Sequence, residues 1–213
     1  MEPERAEAIV LRLQPVTESS LLVTWFTREV GKLKTLAKGA RRPKSPFRGK
    51  LDLFYRDEII FLRSRRSDLH LLHDCFLDQP HAPLRQSVEA MTAGAYACEL
   101  VDVVTELEDP NPPMFELLAG VLGALEVARS RPAVLLWFEL HLLRVAGWKP
   151  NWETSGAVAA GKLLRSLAGT SMAGARRVSL RADQVMAARQ LLWEFWDAQV
   201  GQAPRSRRLL NAA

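Results

Sequence analysis

The sequence predicts an α+β chain of two domains: a small five-stranded β-barrel over residues 1–80, then an all-α domain over residues 81–213. Three observations predict it. Short apolar and β-branched runs, divided by turn signals, fill the first 80 residues. No helix there is long enough for a crossover, so the strands must pair through hairpins and close on themselves. After Pro80 the apolar period changes from two to three and four, the stripe of a helix.

Taken in order, Ala6 to Leu13 is the first strand and Leu21 to Thr27 the second. The turn Arg28-Glu29-Val30-Gly31 leads into the third, Gly31 to Gly39, where charged and smaller uncharged residues alternate. Side chains of a strand point to opposite faces in turn, so Lys32, Lys34 and Lys38 share one face and Leu33, Thr35 and Ala37 the other. A longer fourth strand is expected from Leu51 to Arg63, a polar turn at Ser64 to Asp68, and a fifth strand from Leu69 to Leu77. Among barrels of this size and strand number, the five-stranded oligonucleotide-binding (OB) fold is the candidate.

In the helical half, Val88, Met91, Ala95, Cys98 and Val101 form one stripe, and the loop Glu108 to Pro113 breaks it. A second helix is predicted from Met114 to about Arg129, with Leu118, Val121, Leu122 and Leu125 inward. Pro132 opens a third, through Phe138 to Ala146, which is apolar nearly all round and therefore central. The last long helix runs from about Ala182 to Ala198 and carries Leu192, Trp193, Phe195 and Trp196.

Composition sets the class. Of the 213 residues 48% are apolar and 25% charged, which supports packed cores instead of disorder. No apolar run approaches the roughly 20 residues of a membrane span. The opening residues hold Glu2 and Glu4 and no apolar signal core, so a cytoplasmic protein is expected. Without an export signal, Cys75 and Cys98 read as two buried thiols. His70, His73 and Cys75 hint at a metal site, but on a strand His70 faces opposite to the other two, leaving too few ligands.

The charge distribution carries the function. Between Arg28 and Lys50 there are nine basic residues and one acid, Glu29, a net +8 against +5 for the whole chain. Such a local excess addresses a phosphate backbone. Protecting a strand edge from aggregation needs one or two lysines, not nine basic groups. The third strand presents a row of ammonium groups, and residues 40–50, with two prolines and two glycines at or beside that segment, form an exposed basic loop.

At this point the residues resemble a known family. Ala8-Ile9-Val10-Leu11, Pro15, Glu18, Ser20, the run Phe26 to Lys32 and the run Ala37 to Ser45 resemble the N-terminal domain of bacterial RecO. Phe138 to Leu143 followed by Gly147-Trp148-Lys149-Pro150-Asn151, and Arg205-Ser206-Arg207-Arg208-Leu209-Leu210, extend the likeness into the helical half. The resemblance implies an OB barrel followed by a helical domain. It implies binding and annealing of single- and double-stranded DNA, and work with RecR, often with RecF, to help RecA displace single-strand-binding protein (SSB). It implies no bond-making chemistry, no cofactor and no small-molecule substrate. Many family members carry two CxxC pairs after the Gly-aromatic-x-Pro-Asn motif. Here that place holds Trp152-Glu153-Thr154-Ser155-Gly156, and no cysteine follows Cys98, so a zinc module is absent and the stretch 152–178 reads as shortened.

The candidate DNA contacts are Lys32, Lys34, Lys38, Gly39, Arg41, Arg42, Lys44, Phe47 and Arg48, with Arg205 and Arg207 as a smaller terminal cluster. Arg41 and Arg42 offer planar forked contacts and Lys38 a point charge. Gly39 allows close backbone approach or a positive φ. Phe47, within the basic loop, is the candidate for base stacking, whereas Trp25, Phe54 and Tyr55 read as core. Four to six neutralised phosphates correspond to a log–log salt slope of roughly −3 to −4 on single strands. Gly156 to Lys162 fits the start of a phosphate-binding loop, but Leu163 stands where Ser or Thr is needed. Two rival readings use the same features: an RNA-binding barrel, and a scaffold that binds proteins through its helical half.

Overall fold

The computed structural model describes residues 2–128, 131–152, 158–201 and 203–210. Five strands, β1 (Pro3–Pro15), β2 (Leu21–Thr27), β3 (Gly31–Ala37), β4 (Arg56–Leu62) and β5 (Leu69–Gln79), close a barrel in the order β1-β2-β3-β5-β4. Every pairing is antiparallel except β3 with β5, which is parallel from Lys34↔Leu69 to Leu36↔Leu71. This five-stranded OB-type barrel, with helices after it, is the architecture that the patterning predicts.

The chain divides into two units, one of residues 1–82 with 98–119, the other of 83–97 with 120–213. In the first, alternation does what the pattern requires: Gly31, Leu33, Thr35 and Ala37 are buried along β3. The barrel interior holds Val23, Trp25, Leu33, Ile59, Phe61, Leu72 and Cys75. Trp25 donates its indole N–H to the Thr35 hydroxyl at 2.8 Å, so the buried polar pair is satisfied. Gly31 has φ +82°, and a Cβ there would stand 2.1 Å from the Asp109 carbonyl oxygen. Only glycine fits this start to β3. The Glu108 N–H donates to the Lys32 carbonyl at 2.9 Å, and Phe26 and Phe115 rings lie 6.3 Å apart, tying residues 107–116 to the barrel.

Two local expectations need correction. The fourth strand begins only at Arg56: Leu51 to Tyr55 forms a turn with Phe54 at φ +72°, bonded to β1 through Val10. Its apolar residues signal burial, which a turn folded onto the barrel provides as well as a strand does. In β5 a register shift pairs Ile60 with Asp74 and Phe61 with Leu72, so His73 is passed over. Cys75 and His70 are consequently both buried while His73 is exposed, against strict alternation.

The second unit is helical. Helix α1 (Val88–Val104) contributes its first half, with Ala90, Ala93 and Ala97 buried. Val88 and Met91, which head the predicted stripe, are exposed. Alanines give a weaker apolar signal than Val or Met but allow closer packing. In α2 (Pro112–Val127) the four predicted inward residues are all fully buried, Leu118 in the first unit and Val121, Leu122 and Leu125 in the second. Helix α3 (Arg131–Val145) is buried from Ala133 to Leu140, and packs against α4 (Val158–Ala168), α5 (Met172–Ala175) and α6 (Ala182–Val200). A four-residue helix, α7 (Arg207–Leu210), follows.

One acid lies in this core. Glu139 accepts from the Tyr96 hydroxyl and the Trp196 indole N–H, each at 3.0 Å, and the Trp193 indole donates to Tyr96 at 3.1 Å. Of the loop-like heptapeptide, Gly161 and Lys162 sit within α4, whereas Gly156 and Ala157 lie outside the described residues, as do Glu153, Thr154 and Ser155. No described helix is long and apolar enough to cross a membrane.

Candidate nucleic-acid interface

The basic segment does not act as one strip. Lys32 is turned to Asp102, 3.3 Å from its carboxylate and donating to its carbonyl at 2.6 Å. Arg28 pairs with Glu7 at 2.6 Å and with Glu116, and its guanidinium sits over the Phe115 ring. Lys50 lies 3.4 Å from Asp74. These three cations hold the fold. Among the described residues, Lys34, Lys38, Arg41, Arg42, Lys44 and Arg48 have no acidic partner, and all but Lys34 are exposed.

The loop that carries them is a run of tight turns. Arg42 N–H donates to Gly39, Ser45 to Arg42, Arg48 to Ser45 and Lys50 to Phe47, at 3.0–3.2 Å. Gly39 leaves β3 at φ +69°, the backbone region expected of it. Arg41 fastens the loop to the β1–β2 connection: its N–H donates to the Ser19 carbonyl and its guanidinium to the Thr17 carbonyl at 3.2 Å. Arg41, Arg42 and Arg48 then line a cleft of about 360 Å³ over Leu21, Phe47 and Leu51. Three cations around a concavity with an apolar base can take a phosphate with part of its nucleoside.

The geometry separates the remaining candidates. Phe47 is 5% exposed and packs with the barrel core, so its ring anchors the loop and is not offered to a base. The Phe47 side chain plugs the base of the cleft because nothing else in the loop is apolar and large. Arg205 is exposed, but Arg207 is buried, paired with Asp197 at 2.6 Å and stacked over Trp193 at 5.0 Å. Both lie in the helical unit.

Sequence reasoning passes over Arg65 and Arg66, which it reads only as part of a polar turn. They project from the β4–β5 turn beside Lys38, around a second cleft of about 460 Å³ floored by Leu36, Leu62, Leu69 and Leu71. Two adjacent arginines in a hairpin turn are a usable signal, since the β4–β5 loop of an OB barrel borders its ligand face. His70 holds this turn: its Nδ1 accepts from the Ser64 N–H at 3.1 Å, which leaves Nε2 to donate to Glu108 at 2.7 Å.

With barrel and cationic clefts described, likeness to known proteins is informative. Residues 1–80 match the family model described as Recombination protein O N terminal, and residues 85–160 that described as Recombination protein O C terminal. The chain belongs to the RecO family. Among its relatives, DNA repair protein RecO of Salinibacter ruber is 37% identical over 147 residues, 68% of this chain and 56% of that protein. The RecO of Rhodopirellula baltica is 34% identical over 143 residues (67% and 53%), and that of Myxococcus xanthus 34% over 154 residues (72% and 63%). The chain thus matches a little over half the length of these RecO proteins. It has no cysteine pair for a zinc finger, and among the described residues no group of three or more His, Cys, Asp or Glu side chains is arranged to hold a metal ion.

Proposed function

We propose that this RecO-family chain is a DNA-binding recombination mediator. It binds single- and double-stranded DNA on the β3 end and the 39–50 loop, promotes annealing of complementary strands, and helps RecA load onto SSB-coated single strands together with RecR. The observation that carries the reading is the set of cations without acidic partners, Lys38, Arg41, Arg42, Lys44 and Arg48, on a loop braced against the barrel. Arg41 is held from behind by the β1–β2 connection, so its forked donors meet a phosphate with little ordering cost. Family membership supports the repair role, and the barrel's charge supports a ligand with a phosphate backbone. The function is one of binding and positioning, without cofactor or small-molecule substrate.

The test is fluorescence anisotropy of a labelled single-stranded oligonucleotide across a salt series, with the native chain and a Lys38→Ala, Arg41→Ala, Arg42→Ala variant. The expected log–log slope is about −3, flattening by about two units in the variant. A flat salt dependence, or equal binding by the variant, rejects this surface and leaves a protein scaffold as the better reading. Matched RNA and DNA oligonucleotides in competition separate the RNA-binding alternative, because choosing RNA requires reading its 2′-hydroxyl.

A further inference from the structure

At the end of the barrel away from the arginine cleft the charge changes sign. Leu21 pairs with Pro15 and Ala37 near the 39–50 loop, whereas Thr27 pairs with Ala8 and Gly31 at the opposite end, beside the turn that carries Glu29. There a third cleft, of about 540 Å³, runs over β1, β4 and β5. Five acids line it, Glu7, Glu29, Asp57, Glu58 and Asp78, against one cation, Arg5. Its apolar part is Phe76, 48% exposed, with Leu77 next to it. An exposed apolar patch rimmed by polar residues is the pattern of an interaction site.

The five acids are not equally committed. Glu7 is bound by Arg28 and Arg56 and serves the fold. Glu58 and Asp78 have partners, Arg5 at 3.0 Å and Arg56 at 3.5 Å, in surface pairs that are weak and readily exchanged. Glu29, in an exposed turn, accepts the Glu7 N–H at 2.9 Å and meets no cation among the described residues. Asp57 is fully buried, and neither of its oxygens has a hydrogen-bond partner among the described residues. A buried carboxylate without a partner is costly, and in a cleft of its own sign it calls for a cation. Among the described residues these acids form no group arranged to hold a metal ion, which leaves an organic cation. Phe76 suits one, because the face of its ring attracts an ammonium or guanidinium group. Lys50, which does not line the cleft, lies 5.4 Å from the ring centroid, and the ring remains half exposed.

We propose that this cleft docks a basic segment of a partner protein, which lays an arginine or lysine over Phe76 and Leu77 and sets its charge among Glu29, Glu58 and Asp78, in the field of Asp57. Charge complementarity fixes the sign of the partner. The half-exposed ring fixes the inserted group, whose aliphatic stem covers the apolar patch while its head stays with the carboxylates. Strands β1 and β4, and β4 and β5, are paired along the cleft, so no strand edge is open there and recognition is by side chains. The same carboxylates repel a phosphate chain, so this partner and an oligonucleotide on the 39–50 loop occupy opposite ends of the barrel strands.

The probe is a fluorescein-labelled octapeptide of alternating arginine and leucine, titrated by anisotropy into the full chain at physiological ionic strength and pH 8, where Asp57 is ionised. Glu29→Lys should lower its affinity about tenfold, and Phe76→Leu and Asp57→Asn each about threefold. Glu18→Lys, the same charge change at an exposed residue of the β1–β2 connection, should change it less than about twofold. Thermal melting checks each variant, and Glu29→Lys, in its exposed turn, decides the matter if Phe76→Leu lowers the melting temperature. Affinity unmoved by Glu29→Lys or by Asp57→Asn overturns the proposal. Equal losses in Glu29→Lys and Glu18→Lys also overturn it, since the peptide then follows net charge alone. So does a salt-sensitive dimer of the native chain in sedimentation that Glu29→Lys dissolves, because the cleft then receives the basic loop of a second copy.

Discussion

Lys32 and Asp102 form a closed pair: the ammonium lies 3.3 Å from the carboxylate and donates to the carbonyl of the same residue at 2.6 Å. Two positions further along β3 Lys34 is half-buried with no such partner, and Lys38 is exposed. Three lysines that share a face by strand alternation therefore divide into one structural cation and two available ones.

Paired substitutions should separate those roles. Lys32→Ala leaves the Asp102 carboxylate without its lysine, with Arg12 still 3.1 Å away, and is expected to cost about 1–3 kcal/mol of stability. Its oligonucleotide salt slope should stay close to native. Lys38→Ala should behave oppositely, changing stability by less than about 0.5 kcal/mol while reducing the slope by about 0.7. Chemical denaturation and salt-dependent anisotropy on the two variants check both halves.

Phe47 is a core residue placed in a polar loop. Its removal in Phe47→Ala should cost about 3–5 kcal/mol, the range for a buried phenylalanine. Phe47→Leu, which keeps an apolar plug, should cost clearly less and retain oligonucleotide affinity. A stacking role predicts the reverse: little loss of stability and a loss of affinity in both variants. Melting curves read beside anisotropy distinguish the two.

The barrel was legible because its signals are local. Alternation in β3 sorts Leu33, Thr35 and Ala37 from the lysines within seven residues, and Gly31 and Gly39 mark its ends with positive φ. What failed to show depends on contacts distant in the chain. Nothing near Lys32 says that Asp102, seventy residues later, will meet it, and nothing near Phe47 says that its loop folds back onto the barrel. Arg207 looks like part of a basic tail until Trp193 and Asp197 are seen against it. Net charge locates a basic segment, but only tertiary pairing decides which of its cations remain available.

Glu139 ties together three aromatic side chains from two other helices, accepting directly from Tyr96 and Trp196. Burial pushes its carboxyl up to about 7, while the Tyr96 and Trp196 hydrogen bonds and the charges of Arg189 and Arg207 work in the opposite direction. Glu139→Gln keeps an acceptor for both donors and removes the cost of a buried charge, so at pH 7 it should leave stability unchanged or raise it by up to about 3 kcal/mol. Glu139→Ala leaves a buried hydroxyl and a buried indole N–H without their acceptor and should cost about 2–5 kcal/mol. Urea denaturation of the two variants at one pH provides the comparison.

Asp57 is the opposite case, a fully buried carboxylate at the start of β4 whose two oxygens have no hydrogen-bond partner among the described residues. Burial raises its pKa from 3.8 to about 7, with Lys50 lowering it and Asp78 raising it further. The folded barrel therefore holds this proton more tightly than the unfolded chain. Below about pH 4 both states are protonated and the contribution to stability is whole. Between about pH 4 and 7 the unfolded chain releases the proton first, so stability falls as pH rises; above about 7 both states are ionised and the loss is complete. The full span is of order 4 kcal/mol at most. Asp57→Asn should remove this component, making the barrel more stable than native at pH 8 and flattening the pH profile of unfolding. Glu139, shifted in the same direction, adds its own falling component, which Glu139→Gln in the same chain should remove. Unfolding free energies of the native, single and double variants from pH 4 to 8 measure each step, and an Asp57→Asn profile parallel to the native one would mean that Asp57 finds a partner in solution.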